Sequence, residues 1–249
     1  AKTLPGPNET VRAETHVLNA SGKGLCQALA AARWGVKTAL VSRVGEDPLA
    51  QKILAKIRRQ GVMTSGIVED DLPSGMHLKI ANERGEVQTI VFPGANENIT
   101  AEQAPEEIMT PDNYVLVQTE LDTKQTGAVI EKAKAGGATV ILNLAPDLHM
   151  PAGTEKQIDY LIVTSPEARK LAEKMGLNPD ADNLKLAQAF SQMGPFTCIL
   201  TDKTGSEAVT REGQGWRVPA LPVAEVVDSS TAGDCYCGTF AACLHDGDT

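Results

Sequence analysis

The heptapeptide DSSTAGD at residues 228–234 follows an apolar run at 223–227 and precedes a helix-like segment at 236–244. This order predicts a strand, a small polar loop and then a helix. The N-terminus of a helix has free N–H groups and a positive dipole end, so it favours an anion, typically phosphate. Asp234 could there take a proton from a nucleophile that attacks phosphorus. The alternative is that Asp228 or Ser230 caps the helix and Asp234 is an ordinary first-turn carboxylate.

Upstream of this heptapeptide, the chain alternates between helical and strand periods. Helical faces are indicated at 25–32 and 49–57, and strand-like runs at 36–41, 114–118, 138–142, 160–163 and 198–200. Short, near-continuous apolar strands between helices are typical of a parallel sheet that is covered on both faces. The fold class is therefore predicted to be α/β.

Two segments break this alternation. Residues 9–19 alternate polar and apolar side chains, and residues 74–93 contain two extended runs joined by Glu83-Arg84-Gly85-Glu86, which is a hairpin pattern. Both segments are predicted to be strands of a small antiparallel sheet that projects from the α/β body. Such a sheet could be a lid over a site, a dimer surface, or both.

Composition limits the possible partners. At 249 residues, with 42% hydrophobic and 22% charged residues, the chain is long enough for one large or two small globular domains. Its formal net charge of -9 argues against general binding to nucleic acid or anionic membranes, although one small phosphorylated ligand needs only a local positive field. No apolar run reaches about 18 residues and the first residues show no signal-peptide core, so we expect a cytoplasmic protein.

The five cysteines, an odd count in a chain of this length, predict reduced thiols. Cys235, Cys237 and Cys243 lie close together, but the histidines show no ligand spacing, so a structural metal site is not expected.

Several polar motifs fall where an α/β sheet binds ligands. Ser21-Gly22-Lys23-Gly24 opens the first helix; it fails the Walker A pattern, but its glycines allow close approach of the backbone. The tripeptide at 118–120 and Asn143 end predicted strands, where small molecules bind open α/β sheets. The segment at 201–205 follows another strand. The alternatives are a capping turn, ordinary wet loops and a sheet edge, respectively.

In this order the motifs resemble the ribokinase-like (PfkB) carbohydrate kinases, and among these the ribokinases. SGKGLCQA at 21–28 is similar to the family's first signature, DSSTAGD to the second, and residues 93–96 and 118–120 to the lid exit and a sugar-binding glutamate. The resemblance spans nearly the whole chain. It implies a single domain over residues 1–249, folded as a three-layer α/β/α sandwich with a mostly parallel central sheet and a small β lid. The lid sheet would also form a homodimer.

The resemblance implies ATP-dependent phosphorylation of a sugar hydroxymethyl group, with ribose, giving ribose 5-phosphate, as the first choice. Another sugar or nucleoside kinase of the family, acting for example on 2-keto-3-deoxygluconate or fructose, is an alternative. A catalytically impaired, ligand-binding relative is another. Asp234 would be the general base, and the N–H groups of Ala232, Gly233 and Asp234 would form an anion hole.

The resemblance also assigns binding residues. The sugar would contact Gly22, Lys23, Gly24, Cys26, Glu120 and Asp234. The nucleotide would contact Thr201, Asp202, Lys203, Gly205 and Gly233. Asp228 and Ser230 would help to bind a monovalent cation, K⁺, and Mg²⁺ would accompany ATP.

The chain departs from the family pattern at five positions. Cys26 replaces a sugar-binding Asn, and Thr231 replaces a small residue in the second signature. Pro166 and Arg169 stand at the Asn and Glu positions of an Asn-x-x-Glu element used around Mg²⁺ and phosphate, and Lys203 replaces a glycine of the nucleotide loop. Residues 1–249 are also expected to lack the family's usual first strand and C-terminal helices.

Overall fold

The computed structural model describes residues 1–226 and 228–247. The strands are β1 (Ala39–Gly45), β2 (Met63–Asp70), β3 (Met76–Ala81), β4 (Val87–Phe92), β5 (Tyr114–Thr119), β6 (Thr139–Pro146), β7 (Tyr160–Thr164), β8 (Thr197–Asp202), β9 (Gly205–Val209) and β10 (Gly215–Pro219). The helices are α1 (Lys23–Trp34), α2 (Pro48–Arg59), α3 (Thr123–Ala135), α4 (Ser165–Lys174), α5 (Asn183–Ser191) and α6 (Ala232–His245). Short 3₁₀ turns lie at Gly94–Asn98, Ala101–Gln103, Glu106–Ile108 and Thr154–Lys156.

The largest sheet has six strands in the order β10-β9-β8-β7-β6-β5. Strands β5 to β8 run parallel, and β9 and β10 continue the sheet in antiparallel pairing. The centres of β6, β7 and β8 are fully buried apolar runs, as a sheet covered on both faces requires. The predicted α/β class with a mostly parallel sheet is therefore confirmed.

Helices cover both faces of this sheet. On one face, Val140, Leu142 and Leu144 of β6 pack in one cluster with apolar residues of α3, α4 and α5. On the other face, Ile141 packs with Cys237 and other residues of α6. Successive side chains of a strand point to opposite faces, so β6 contributes to both layers. The result is the expected three-layer sandwich.

Helix α1 lies against α6 in the outer layer. A Cβ atom at Gly238 of α6 would overlap the backbone carbonyl oxygen of Gln27 and crowd Ala30, both in α1. The two helices therefore approach each other more closely than any residue with a side chain at position 238 would permit.

Strands β1 and β2 form a separate parallel pair. Neither β1 nor β5 has a second neighbour among the strands of the described residues. Both strands instead line one cavity of about 920 Å³. Part of this cavity is the candidate site described below.

Of the two segments predicted to supply strands of the lid, one forms strands. Strands β3 and β4 form the expected hairpin, with Leu78 opposite Ile90 and His77 opposite Val91. The strand predicted at residues 9–19 is wrong, because this segment has no secondary structure and leaves Val17 79% exposed. Alternation of side chains makes a strand only where a neighbour pairs with the backbone, and here no ladder forms.

The strand predicted before the second signature is also wrong. Residues 223–226 are exposed and belong to no strand, while Val227 lies outside the described residues. No described strand pairs with residues 223–226. Within the described ranges, no helix combines the length and apolar character needed to cross a membrane.

Candidate active site

The N-terminus of α6 has free backbone donors. Helix α6 begins at Ala232, and its N-cap residue Thr231 makes no side-chain capping hydrogen bond. The Ala232 N–H donates to the carbonyl of Ser229, but the Gly233 and Asp234 N–H groups donate to no group in the described part of the chain. The expected anion hole of three donors therefore has two free ones, at residues 233 and 234.

The capping alternative for this loop is not what the structure contains. The Asp228 carboxylate accepts a hydrogen bond from the Ser230 N–H at 2.8 Å, two residues along the chain, and neither residue caps α6. The same contact lowers the pKa of Asp228. Asp228 and Ser230 are thus exposed beside the start of α6, not bonded to its first turn.

Asp234 is a buried carboxylate, 9% exposed. Its Oδ1 accepts a hydrogen bond from the Gln27 side-chain amide at 3.2 Å. Burial raises the pKa of Asp234 above its ordinary value, against the opposing effects of the Gln27 hydrogen bond and the positive charges of Lys23 and Lys79. A carboxylate held in this way differs from an ordinary solvated first-turn acid and suits a general base.

The start of α1 and the end of β5 meet at the cavity. Gly22, Lys23 and Gly24 line the cavity together with Gln118 and Glu120. Gly22 has φ 133°, a conformation that favours glycine, and no side chain caps this helix start. Partial removal from water raises the pKa of Glu120, and the Asp234 charge adds to this, while Lys23 and His77 oppose it. Of the residues predicted to bind sugar, Gly22, Lys23, Gly24 and Glu120 therefore line one cavity, and Asp234 lies near enough for its charge to raise the pKa of Glu120.

Asp234 and Cys26, which were also predicted to contact the sugar, do not line this cavity. The Cys26 thiol lies 3.7 Å from the Ser21 hydroxyl.

One face of the lid hairpin forms part of the cavity wall. His77, Thr89 and Val91 line the cavity. Lys79, two residues after His77 on β3, lies on the same face of the hairpin. Its positive charge lowers the pKa values of Asp234 and Asp228. Sequence reasoning missed His77 and Lys79, although the period-2 pattern of the hairpin would place both on one face.

A second, smaller cavity lies beside the turn between β8 and β9. It has a volume of about 390 Å³ and is lined by Asn183, Asp202, Thr204, Gly205, Ser206, Glu207, Arg217, Val218 and Pro219. Thr204, Asn183 and Ser165 donate hydrogen bonds to Asp202 and hold its pKa at about 2. Of the predicted nucleotide residues, Asp202 and Gly205 line this cavity, Thr201 and Lys203 do not, and Gly233 lies at the start of α6.

The segment that replaces the Asn-x-x-Glu element has structural roles. Glu167 accepts hydrogen bonds from the N–H and hydroxyl groups of Thr164 and so caps α4. The Arg169 guanidinium donates to the carbonyl oxygens of Pro179 and Ala181. With a proline and a cation at the family's amide and carboxylate positions, this element does not fit Mg²⁺.

Two of the cysteines, Cys198 and Cys237, are buried thiols. Burial raises the pKa of Cys237 to about 12 and that of Cys198 further, so both stay protonated at neutral pH.

Comparison with known proteins agrees with this arrangement. The family model described as pfkB family carbohydrate kinase matches residues 2–249. A ribokinase of Staphylococcus aureus is 30% identical over 247 residues, which covers 96% of this chain and 79% of the relative. A ribokinase of Bacillus subtilis is 29% identical over 248 residues, covering 98% and 80%.

Solved structures show the same fold. The ribokinase of Thermotoga maritima has a TM-score of 0.89 at 25% identity, covering 100% of this chain and 82% of its own. The Arabidopsis thaliana ribokinase, solved with ribose and ATP, has a TM-score of 0.88 at 24% identity and the same coverage. The chain therefore belongs to the pfkB family of carbohydrate kinases.

Proposed function

We propose that this carbohydrate kinase transfers the γ-phosphoryl group of ATP to the hydroxymethyl group of a sugar, and that the sugar is ribose. The observation that carries the proposal is the buried carboxylate of Asp234 beside the free N–H groups of Gly233 and Asp234. The ribokinase relatives at 30% and 29% identity support ribose over other sugars.

In this mechanism Asp234 accepts the proton of the sugar hydroxyl as its oxygen attacks the γ-phosphorus. The bond between that phosphorus and the β–γ bridging oxygen breaks, and ADP leaves. The N–H groups at 233 and 234 hold the transferred phosphoryl, where backbone donors stabilise the charge without rearranging. Lys23 and Lys79 supply positive charge near Asp234.

The sugar is held between the start of α1 and the end of β5. Glu120 accepts hydrogen bonds from sugar hydroxyls, and the glycines at 22 and 24 let the backbone approach the ring. The lid hairpin closes above the sugar with His77 and Lys79 on its inner face, which excludes water from the reacting groups.

The nucleotide lies along the turn between β8 and β9 and ends at the start of α6. The cavity at Asp202 and Gly205, about 390 Å³, falls within the size range of ligand sites. Mg²⁺ would accompany ATP as part of the substrate and would neutralise phosphate charge. Asp228 and Ser230 remain the residues proposed for a monovalent cation.

The outer face of the lid is proposed to form a homodimer. Ile90 and Phe92 are 50% and 47% exposed, and Met76 and Leu78 lie opposite them on the same face. A contiguous apolar face on a projecting hairpin is typical of a protein interface.

A coupled assay of ADP release tests the proposal with ribose, fructose, 2-keto-3-deoxygluconate and nucleosides as acceptors. Ribose should give the fastest turnover, and Asp234→Asn should lower kcat by about 10²–10⁴. Asp246→Asn, at the other end of α6, is the matched control and should keep wild-type turnover. Unchanged turnover in Asp234→Asn would remove Asp234 from the mechanism.

The second candidate is a kinase-like protein that binds its ligands without turnover. It is favoured by Pro166 and Arg169, which stand where the family pattern has an amide and a carboxylate. Binding of Mg²⁺–ATP by calorimetry, with no acceptor stimulating ADP release, would decide for this candidate.

A further inference from the structure

The side chain of Gln27 makes hydrogen bonds to residues of two strands, β5 and β6, and of one helix, α6. It lies in α1, is 1% exposed, and points toward the carboxyl ends of β5 and β6 and the start of α6. A buried primary amide is costly unless its donors and acceptor are all used.

All hydrogen-bonding capacity of this amide is directed to the site. Its Nε2 donates to Asn143 Oδ1 and to Asp234 Oδ1, both at 3.2 Å. Its Oε1 accepts from Gln118 Nε2 at 2.7 Å. Asn143 in turn donates to the carbonyl of Ile162 on β7 at 3.3 Å, which fixes the Asn143 amide. The orientation of the Gln27 amide is thus determined from both ends.

The contact with Asp234 selects one of its two carboxylate oxygens. Oδ1 receives the Gln27 hydrogen bond, whereas Oδ2 receives none from the residues that the structure describes. We propose that Gln27 is a positioning residue that fixes the carboxylate of Asp234 so that Oδ2 is presented to the acceptor hydroxyl. This inference rests on the proposed role of Asp234 as the general base.

The Gln27 hydrogen bond also stabilises the charged form of the base. The charged groups that act on Asp234 are Lys23 of α1 and Lys79 of the lid, and the Asp234 charge in turn raises the pKa of Glu120 after β5 and of Cys237 in α6. Gln27 is the neutral donor among the groups that lower the pKa of Asp234. Removing it should therefore make the base harder to deprotonate as well as less well oriented.

The test is a pH–rate profile of the purified protein with ATP and its fastest sugar. Gln27→Met keeps the length of the side chain and its burial but loses the donor. We expect kcat to fall about 10- to 100-fold, the usual worth of a hydrogen bond to a charged group. The acid limb of kcat/KM should move to higher pH, while the KM values for sugar and ATP change little.

Two further variants separate positioning from folding. Gln118→Met leaves Gln27 in place but frees its Oε1, so it should shift the acid limb in the same direction by a smaller amount. Ser191→Ala removes one buried hydroxyl hydrogen bond, to the Gln188 carbonyl in α5, and Ser191 lines neither cavity. It should leave kcat and the acid limb at wild-type values.

The proposal is overturned if Gln27→Met retains the wild-type kcat and acid limb. If that variant does not fold, an unchanged acid limb in Gln118→Met overturns it. Adding Gln27→Met to Asp234→Asn should cause no further loss of kcat, because the two residues act as one unit. Wild-type turnover in Asp234→Asn alone would instead refute the general base.

Discussion

The substitution Gly233→Ala should raise the stability of the fold and lower the kinase activity. Gly233 lies in the first turn of α6, and a Cβ atom built there meets no other atom within 4 Å. Replacing a helical glycine by alanine restricts the unfolded chain, so Gly233→Ala should stabilise the fold by about 0.4–1 kcal/mol. For a chain of this size, the melting temperature should rise by about 1–4 °C.

The same open space is where the proposed mechanism places the transferred phosphoryl. A methyl group next to the N–H groups of residues 233 and 234 would keep that phosphoryl away from its donors. Loss of one donor of this kind typically lowers kcat by about 10²–10³, and we expect at least that effect.

Thermal melting and a coupled kinase assay on the same preparation measure both effects. Cys235→Ala is the matched control, because Cys235 is exposed two residues further along α6, and it should change neither quantity. A Gly233→Ala protein with wild-type kcat would refute the reasoning that the start of α6 receives the phosphoryl group. A lower melting temperature would refute the stability argument.

Three other predictions follow from the described contacts. Burial raises the pKa of Asp234 above 3.8, so folding disfavours its charged form, and the stability present below pH 3.8 is lost as pH rises through the raised value. Asp234→Asn should therefore melt at a higher temperature than wild type at pH 7, and the difference should disappear near pH 3; a lower melting temperature at pH 7 would contradict this. Arg169→Ala removes the guanidinium that holds the carbonyls of Pro179 and Ala181, and urea unfolding should show a loss of about 1.5–3 kcal/mol, whereas an unchanged midpoint would mean that these contacts contribute nothing. The double variant Ile90→Glu, Phe92→Glu should be a monomer when its mass is measured by light scattering. A dimer that persists would exclude the outer face of the lid as the interface.

The sequence predicted the central sheet well because each parallel strand is a buried apolar run. Strands β5 to β8 were located from composition alone, since a strand covered on both faces needs apolar side chains on both sides. The β3–β4 hairpin was found for a different reason, the turn at Gly85, where φ is 79°.

The errors came from segments whose structure depends on a neighbour. Residues 9–19 have the alternation of a half-buried strand, and 223–226 the apolar composition of a buried one, but neither has a strand beside it. Side-chain pattern describes one strand, whereas a sheet requires two backbones in register.

The candidate site was predicted only in part, for a related reason. Asp234 and the start of α1 each lie in a short motif whose residues follow one another in the sequence, so each motif could be recognised by itself. Gln27 stood inside a recognised motif, yet its partners Asn143 and Asp234 lie 116 and 207 residues away. No local pattern indicates a contact between residues so far apart.

The closeness of α1 and α6 at Gly238 bears on how this enzyme can be altered. Helix α1 begins at the glycines proposed for the sugar, and α6 begins at the donors proposed for phosphate. Because a backbone carbonyl occupies the space where a side chain at 238 would lie, the helices have no adjustable layer between them. Attempts to redesign the sugar preference should therefore vary residues around Glu120 and the lid. A library that includes position 238 would mostly return enzymes in which the acceptor and the phosphoryl donor have lost their alignment.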